Sequence, residues 1–385
     1  MASARPAATV WKGLLAVVAG AVAFEGTVRL DDWARFGTPM ASGAASLGDL
    51  VIRDSLGTHA RPGAAFRQFV INGQGFRGPE LPTRPDGALV LAVSGASETF
   101  GLYERAGGEW PRQLEDSLRT RCAVPVRVLN AGFAGMALPT VMQDVQRRLA
   151  PLRPDVGVYY PTPAQYLEAE RPVATAPVAT PTPAPPPWQL RSVPRSRDAL
   201  KRAVPEPLLD LVRQVDTRRQ RRALAEAQGD AQVDTLPRDR LAAYEEDLRR
   251  LVGVYRQGGM TPVLVVHQHR FADTLTPEAR RTLRAWERFY PRYTGRVLLA
   301  FDAAAGARTR EVARDSQLVV VDPQAPLRRL GAQAFADFSH FTDAGAAIVG
   351  GVVAAGVADH PASGVACRTP PRGAPLLREA GSRRP

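Results

Sequence analysis

Residues 88–101 read ALVLAVSGASETFG, and the fold is decided there. Ala88 to Val93 is an unbroken apolar run of strand length, the pattern of a strand covered on both faces. The small residues after it make a tight turn that leads toward a helix. Four more runs of this kind follow: Pro125 to Leu129, Asp155 to Tyr160, Thr261 to Val266 and Gln317 to Val321. Helical patterns separate them. Trp110, Leu114 and Leu118 recur at four-residue spacing, and Leu241, Tyr244, Leu248, Leu251 and Tyr255 form a second stripe. Thr276-Pro277-Glu278 supplies a cap and a first-turn proline for a helix reaching about Tyr290. A last helix is expected from Thr342-Asp343 through Ile348 to about Val357. Strands alternating with helices predict an α/β fold, a three-layer α/β/α sandwich around a five-stranded parallel sheet.

Outward from this core, the chain divides into segments 1–29, 30–85, 86–360 and 361–385. In the first, Arg5 and Lys12 precede the apolar stretch Gly13 to Phe24, which has signal-peptide length, and Ala21-Val22-Ala23 offers a small-residue cleavage site. Left uncut, the window from about Ala7 to Val28 crosses a bilayer with the N-terminus inside and the body outside. A buried helix of a cytoplasmic protein is the third possibility; the uncut anchor is the preferred reading. Residues 30–85 form a connecting region packed on the core, in which Phe66 to Gly73 reads as a short strand ending in a Gly-rich turn. Residues 168–237 form an insertion between the third and fourth strands. Its Pro172 to Pro187 stretch is too rich in proline for helix or sheet, and Arg-rich helical sequence around Arg213 to Arg222 follows. The insertion leaves from the carboxyl edge of the sheet, as a lid, a docking element or a plain surface loop. The final segment, 361–385, is expected to be a flexible tail.

With 45% hydrophobic residues the chain has ample core material. Lys and Arg number 50 against 38 Asp and Glu, a net charge of +12, nearly all of it arginine. Such charge suits an anionic partner such as nucleic acid, anionic lipid or acidic polysaccharide, but arginine on ordinary solvated surfaces is the preferred reading. No basic run carries the interleaved aromatics or zinc-finger spacing of a nucleic-acid binder, so no nucleic-acid partner is expected. The two cysteines, Cys122 and Cys367, lack CxxC spacing, which excludes a metal cluster or dithiol site. They form either one disulfide or two unrelated thiols.

Ser97 sits on the strand-to-helix turn, where its hydroxyl lies at the sheet edge and neighbouring backbone N–H groups can meet an oxyanion. The turn lacks both GxGxxG and the Walker Gly-Lys-Ser/Thr ending. Asp337-Phe338-Ser339-His340 stands just before the final helix, a spacing that lets His340 act as general base with Asp337 fixing its orientation. At the end of the fourth strand, His267 and His269 share a face, as lining of a substrate site or as hydrogen-bonded histidines, with no third ligand for a metal. His59 and His360 have no such context.

Together these residues resemble the SGNH (GDSL-like) hydrolase superfamily over roughly residues 64–357. Gly95-Ala96-Ser97 matches the family's nucleophile motif and Asn130 to Gly135 its second motif, with Gly135 at the oxyanion position. Asp337 and His340 match the last. Asn72 to Glu80 (NGQGFRGPE) is similar to the segment preceding the nucleophile in membrane-anchored bacterial members. One motif departs: the family's Gly-x-Asn-Asp is replaced by Pro161-Thr162-Pro163-Ala164-Gln165, which removes an oxyanion donor unless Thr162 or Gln165 substitutes. The resemblance implies a flavodoxin-like sheet, no cofactor and no metal. It implies a serine esterase of small acyl esters, O-acetyl groups on cell-envelope carbohydrate among them. The protein would be exported, held at the inner membrane by the N-terminal segment or secreted after cleavage. An O-acetyltransferase of surface polysaccharide, or a weakly active glycan-binding or scaffold protein, are the alternatives.

Overall fold

The computed structural model describes residues 5–80, 87–167, 178–228, 233–272, 274–359 and Cys367. The chain begins with helix α1 (Arg5–Phe36), followed by two small antiparallel hairpins, β1 (Val51–Asp54) with β2 (Gly57–Ala60) and β3 (Ala65–Phe66) with β4 (Phe69–Val70). The main sheet opens with β5 (Leu89–Gly95), the short helix α2 (Ser97–Phe100), α3 (Trp110–Arg121), β6 (Val126–Asn130), α4 (Leu138–Asp144) and β7 (Val156–Tyr160). After β7 come α5 (Ser192–Ala203), α6 (Glu206–Gln228) and α7 (Arg238–Gln257), then β8 (Thr261–Val265). The chain finishes with α8 (Pro277–Phe289), α9 (Gly295–Asp315), β9 (Val319–Val321), α10 (Gln324–Leu330) and α11 (Asp343–Asp359).

Five parallel strands form the sheet in the order β6-β5-β7-β8-β9. Alternation along each strand builds two cores. Leu91 and Val93 of β5 and Val156, Val158 and Tyr160 of β7 meet Trp110, Leu114 and Leu118 of α3 and Val349, Val353 and Val357 of α11. Val90 and Ala92 face the other way, with Leu264 of β8, onto Val141 of α4, Tyr244, Leu248 and Leu251 of α7 and Phe301 of α9. A helix layer on each face completes the expected three-layer arrangement. The chain leaves β5 for β6 on one side and returns to β7 on the other. The carboxyl ends of β5 and β7 therefore flank the crevice where ligands bind in this topology.

Each expected strand is present, and the differences have local causes. The run from Gln317 starts late because Gln317 has φ +54°, a left-handed conformation incompatible with a strand. Phe66 to Gly73 is not one strand. Arg67, at φ +50°, turns the chain between β3 and β4 and makes a hairpin. Helix α9 was not assigned from sequence, since its Val297 to Phe301 reads equally as a buried strand. Thr276 caps α8 as expected, accepting from the Ala279 N–H at 3.1 Å.

The apolar N-terminal stretch is part of a 32-residue helix, much longer than a signal-peptide core. Trp11–Phe36 is the one helix among the described residues long and apolar enough to cross a membrane. In the proline-rich stretch, residues 168–177 lie outside the described residues. The rest runs extended beside β1, with Val178 and Thr182 N–H groups on the Asp54 and Arg53 carbonyls. The arginine-rich part forms α5 and α6. Cys122 and Cys367 are joined in a disulfide that ties residue 367 to the end of α3. The tail 361–385, apart from Cys367, and His360 lie outside the described residues.

Candidate active site

The turn after β5 is held tight by Gly95. A Cβ there would run into Thr99 Oγ1 and come within 2.6 Å of the Tyr160 carbonyl, so no larger residue fits between β5 and β7. The NGQGFRGPE segment braces the same turn from the other side. The Arg77 N–H donates to the Asn130 carbonyl at 3.0 Å, and its buried guanidinium donates to the Phe100 and Gly101 carbonyls, the orphan acceptors at the end of α2. That guanidinium lies 5.0 Å from the Phe69 and Phe100 ring centres. Asn130 adds a further tie, donating from its side chain to the Thr99 carbonyl at 3.1 Å.

Ser97 thus projects at the carboxyl edge, half-exposed, and His340 reaches it from the loop before α11. The distance from His340 Nε2 to Ser97 Oγ is 2.7 Å, and His340 Nδ1 lies 2.8 Å from Asp337 Oδ2. With Nδ1–H donating to the carboxylate, Nε2 is left to accept from the serine hydroxyl. Asp337 is itself fixed by the N–H groups of Ser339 (3.0 Å) and His340 (2.9 Å). Burial alone would push the His340 pKa down. The Asp337 hydrogen bond and the charges of Glu98, Asp337 and Glu104 overcome it and hold His340 above the ordinary histidine value. Asp337 stays below the usual carboxylate range against the pull of burial, because His340 and the two N–H groups favour its charge.

Gly135 stands in the exposed turn after β6 at φ +83°, and among the described residues no acceptor meets its N–H. Thr162 and Gln165 follow β7 as expected, but only the first is engaged by the site. Its hydroxyl donates to Glu98 Oε2 at 3.0 Å and is therefore turned toward a carboxylate. His267 and His269 do not converge on a metal, and no metal-binding group of side chains occurs among the described residues. Both turn toward Asp302 of α9: His267 Nδ1 lies 2.5 Å from Oδ1 and His269 Nε2 3.7 Å from Oδ2. Burial pushes His269 below the ordinary histidine value, so it is neutral, while its Nδ1 accepts from the Phe271 N–H.

Sequence reasoning missed Glu98, Asp302, Ser339 and Tyr103. Glu98 is wholly buried behind Ser97. Its Oε1 accepts from the Ser339 hydroxyl at 3.0 Å and lies 3.8 Å from His267 Nε2, an ion-pair contact longer than a hydrogen bond. Burial pushes Glu98 up, but His267 and His340 pull it well below the usual range; burial pushes His267 down, but Asp302 and Glu98 hold it well above 6.5. A buried chain of charges results, Asp302 to His267 to Glu98, and it joins the turns after β5, β7 and β8 to the Asp337–His340 loop. The signal was present in the sequence: an acid in a small-residue turn and an acid in the apolar run of α9 are both out of place. The Tyr103 ring packs 5.4 Å from the His340 ring. Beyond it opens a cleft of about 1010 Å³ lined by five arginines, Arg35, Arg67, Arg105, Arg195 and Arg202, and by the acids Glu104 and Asp343; all but Arg202 of the five are ion-paired to aspartates. On the other side, Phe338 stacks on Trp286 at 5.6 Å and meets the exposed Phe289 at 5.4 Å, forming an aromatic ledge next to His340.

No protein-family model matches the chain, and no curated protein matches it. Solved structures similar in outline include an α/β hydrolase from the metagenome of Lake Arreo, Spain, at 15% identity over 70% of this chain and 94% of that one, with a TM-score of 0.40. An acetylxylan esterase from Geobacillus stearothermophilus is 14% identical over 71% and 95%, also at 0.40. A lipase/acylhydrolase from Enterococcus faecalis is 15% identical over 70% and 95%, at 0.41.

Proposed function

We propose that the protein is a serine esterase of the SGNH type that hydrolyses small acyl esters. The observation that carries this reading is the 2.7 Å contact between His340 Nε2 and Ser97 Oγ, with Nδ1 on Asp337. Ser97 Oγ attacks the ester carbonyl carbon as its proton passes to His340 Nε2, and Asp337 stabilises the imidazolium that forms. The oxyanion is met by the N–H groups of Ser97 and Gly135. Collapse of this intermediate breaks the bond to the alcohol, which leaves with the proton from His340. Water, deprotonated by the same imidazole, then releases the acyl group and restores Ser97.

Glu98 acts here as a positioning residue. By accepting from Ser339 it fixes the loop that carries His340, and its charge favours the imidazolium. The same charge opposes an oxyanion, and Thr162, bound to Glu98, offers no third donor. A missing donor costs about 100- to 1,000-fold in rate, so turnover should be slow. The arginine-lined cleft beside the triad favours an ester carried on an anionic molecule, such as an O-acetyl group on acidic envelope carbohydrate. Helix α1 serves as the membrane anchor that holds the body outside the cell membrane.

A fluorophosphonate probe tests the reading without knowledge of the substrate: it should label Ser97 in the folded protein and not in Ser97→Ala. Hydrolysis of p-nitrophenyl acetate should be lost in the same variant. No labelling of folded protein would refute an activated serine. Acetyl transfer to an oligosaccharide exceeding hydrolysis would make the enzyme a transferase built on the same residues.

A further inference from the structure

The insertion carries an apolar face that nothing among the described residues covers. On α6, Leu208, Leu211, Val212 and Val215 follow the 3-1-3 spacing of one helix stripe, and all four are exposed, Leu211 at 56% and Val212 at 58%. At 100° per residue this stripe points opposite to Leu209, Arg213, Thr217 and Arg221, the residues turned toward the body. Further along, the stripe's own face continues as Arg218, Arg219 and Arg222, exposed and without an ion-pair partner among the described residues. Residues 192–228 hold nine basic side chains against five acidic ones. Trp188, Leu190, Val193 and Leu200, in and just before α5, are also exposed.

The attachment of α5, the helix just before this face, to α1 identifies the occupant. From Trp11 to Phe24, α1 is exposed on nearly every side. From Glu25 onward it is gripped by the body and the insertion. Glu25 accepts from the Arg191 and Ser192 N–H groups at 3.1 and 2.9 Å, Arg29 donates to the Gln189 carbonyl at 2.8 Å, and buried Asp32 accepts from Arg195 at 2.7 Å. Helical residues 5–24 span roughly 30 Å, the thickness of a bilayer's hydrocarbon core. The lipid surface then falls at about residue 24, the level at which Leu200 and Ala203 of α5 line a groove with Phe24 and Val28. The far end of α6 is fixed to the body, with Arg221 donating to the Pro291 carbonyl at 3.2 Å and pairing with Glu287 at 3.7 Å, next to Phe289 on the aromatic ledge.

We infer that α5 and α6 lie on the surface of the bilayer that α1 crosses, with the Leu208–Val215 stripe among the acyl chains and Arg218, Arg219 and Arg222 on anionic headgroups. This rests on the reading of α1 as an anchor. An apolar stripe flanked by arginine on one helix is the composition of an interfacial helix, and a single span supplies the second attachment point. Two attachments fix the tilt of the body, so the Ser97 site is held at a set height above the membrane instead of swinging freely about α1.

The test uses the full-length chain with Leu211→Cys carrying an environment-sensitive fluorophore; the two native cysteines are in a disulfide and do not compete for the label. Val215→Cys repeats the measurement if the first variant fails to fold, and Glu246→Cys on the outer face of α7 is the control. In phosphatidylcholine vesicles containing phosphatidylglycerol, emission at 211 should shift to the blue and be quenched by nitroxide-bearing lipid, while 246 should not. Arg218→Gln with Arg219→Gln and Arg222→Gln should weaken that quenching, by about fivefold in the docked-to-undocked ratio per charge removed. If the protein floats with the vesicles but 211 stays as wet as 246, the inference fails while the anchor stands. Shielding of 211 that persists in detergent, or a disulfide between two copies at 211, would give the face to a second copy instead. Protein that does not float at all overturns both the anchor and this inference, and leaves labelling of Ser97 to judge the esterase on its own.

Discussion

At the carboxyl edge of the sheet, Glu98, His267 and Asp302 bury their charges against one another; on α6 of the insertion, Leu208, Leu211, Val212 and Val215 are exposed, and Arg218, Arg219 and Arg222 have no ion-pair partner among the described residues. The first arrangement suits chemistry, because a proton moves reliably only between groups whose distances are fixed in advance. Glu98, His267 and Asp302 are costly to bury, and they persist by neutralising one another. The second arrangement suits docking. An uncovered stripe on α6 gains nothing from the folded chain itself and becomes favourable only when another phase covers it.

The contrast is broken most severely by removing the hydroxyl of Ser97, the proposed nucleophile. Ser97→Ala should lower ester hydrolysis by about 10³- to 10⁴-fold relative to the parent, whose rate is already reduced by the missing donor, while leaving the melting temperature unchanged, checked by kinetics and thermal unfolding on the same sample. Persistence of activity would move the chemistry elsewhere.

Next in size is the buried charge behind it. Glu98→Ala should reduce kcat by about 100-fold, because the His340 loop loses its tie to the turn that carries Ser97. Glu98 also raises the His340 pKa, and the base must be neutral to act. The acid limb of kcat/KM in the parent should therefore inflect above pH 6.5 and move to lower pH in the variant. An unshifted limb would reduce Glu98 to a packing role.

Glu104, at the rim between the two regions, gives a smaller effect of opposite sign. Burial outweighs Arg77 and raises its carboxyl to about 7 from 4.5. The folded protein keeps a proton that the unfolded chain has already released, so stability falls as pH rises from about 4.5 to 7. The loss is at most about 3 kcal/mol. Glu104→Gln should flatten this slope in urea unfolding followed against pH, and a parent with no slope there would exclude it.

Smallest of all is the insertion. Replacing Leu211 and Val212 by Ser should change stability by less than about 0.5 kcal/mol and leave hydrolysis of a soluble ester in detergent unaltered, since neither side chain is packed. A large loss of stability in detergent would mean that the stripe is covered within the protein.

The strands, the two principal helix stripes and the Ser97, Asp337 and His340 elements were legible in the chain because each rests on local pattern: unbroken apolar runs, four-residue spacing, a small-residue turn, an Asp-x-x-His before a helix. Thr162 and the two histidines after β8 were found, but not their acidic partners Glu98 and Asp302. Nothing in a linear pattern tells which acid an imidazole will meet.

What the sequence alone determined is the layered fold, the order of its strands along the chain and the residue types at the sheet's carboxyl edge. Tertiary structure decided the rest. Ser339 meets Glu98 across 241 residues and His340 meets Ser97 across 243, so these contacts exist only once the sheet has closed the distance. The same holds for α6: that Leu208, Leu211, Val212 and Val215 point away from the body depends on packing. Burial and direction are properties of the whole surface, and no short stretch of chain contains them.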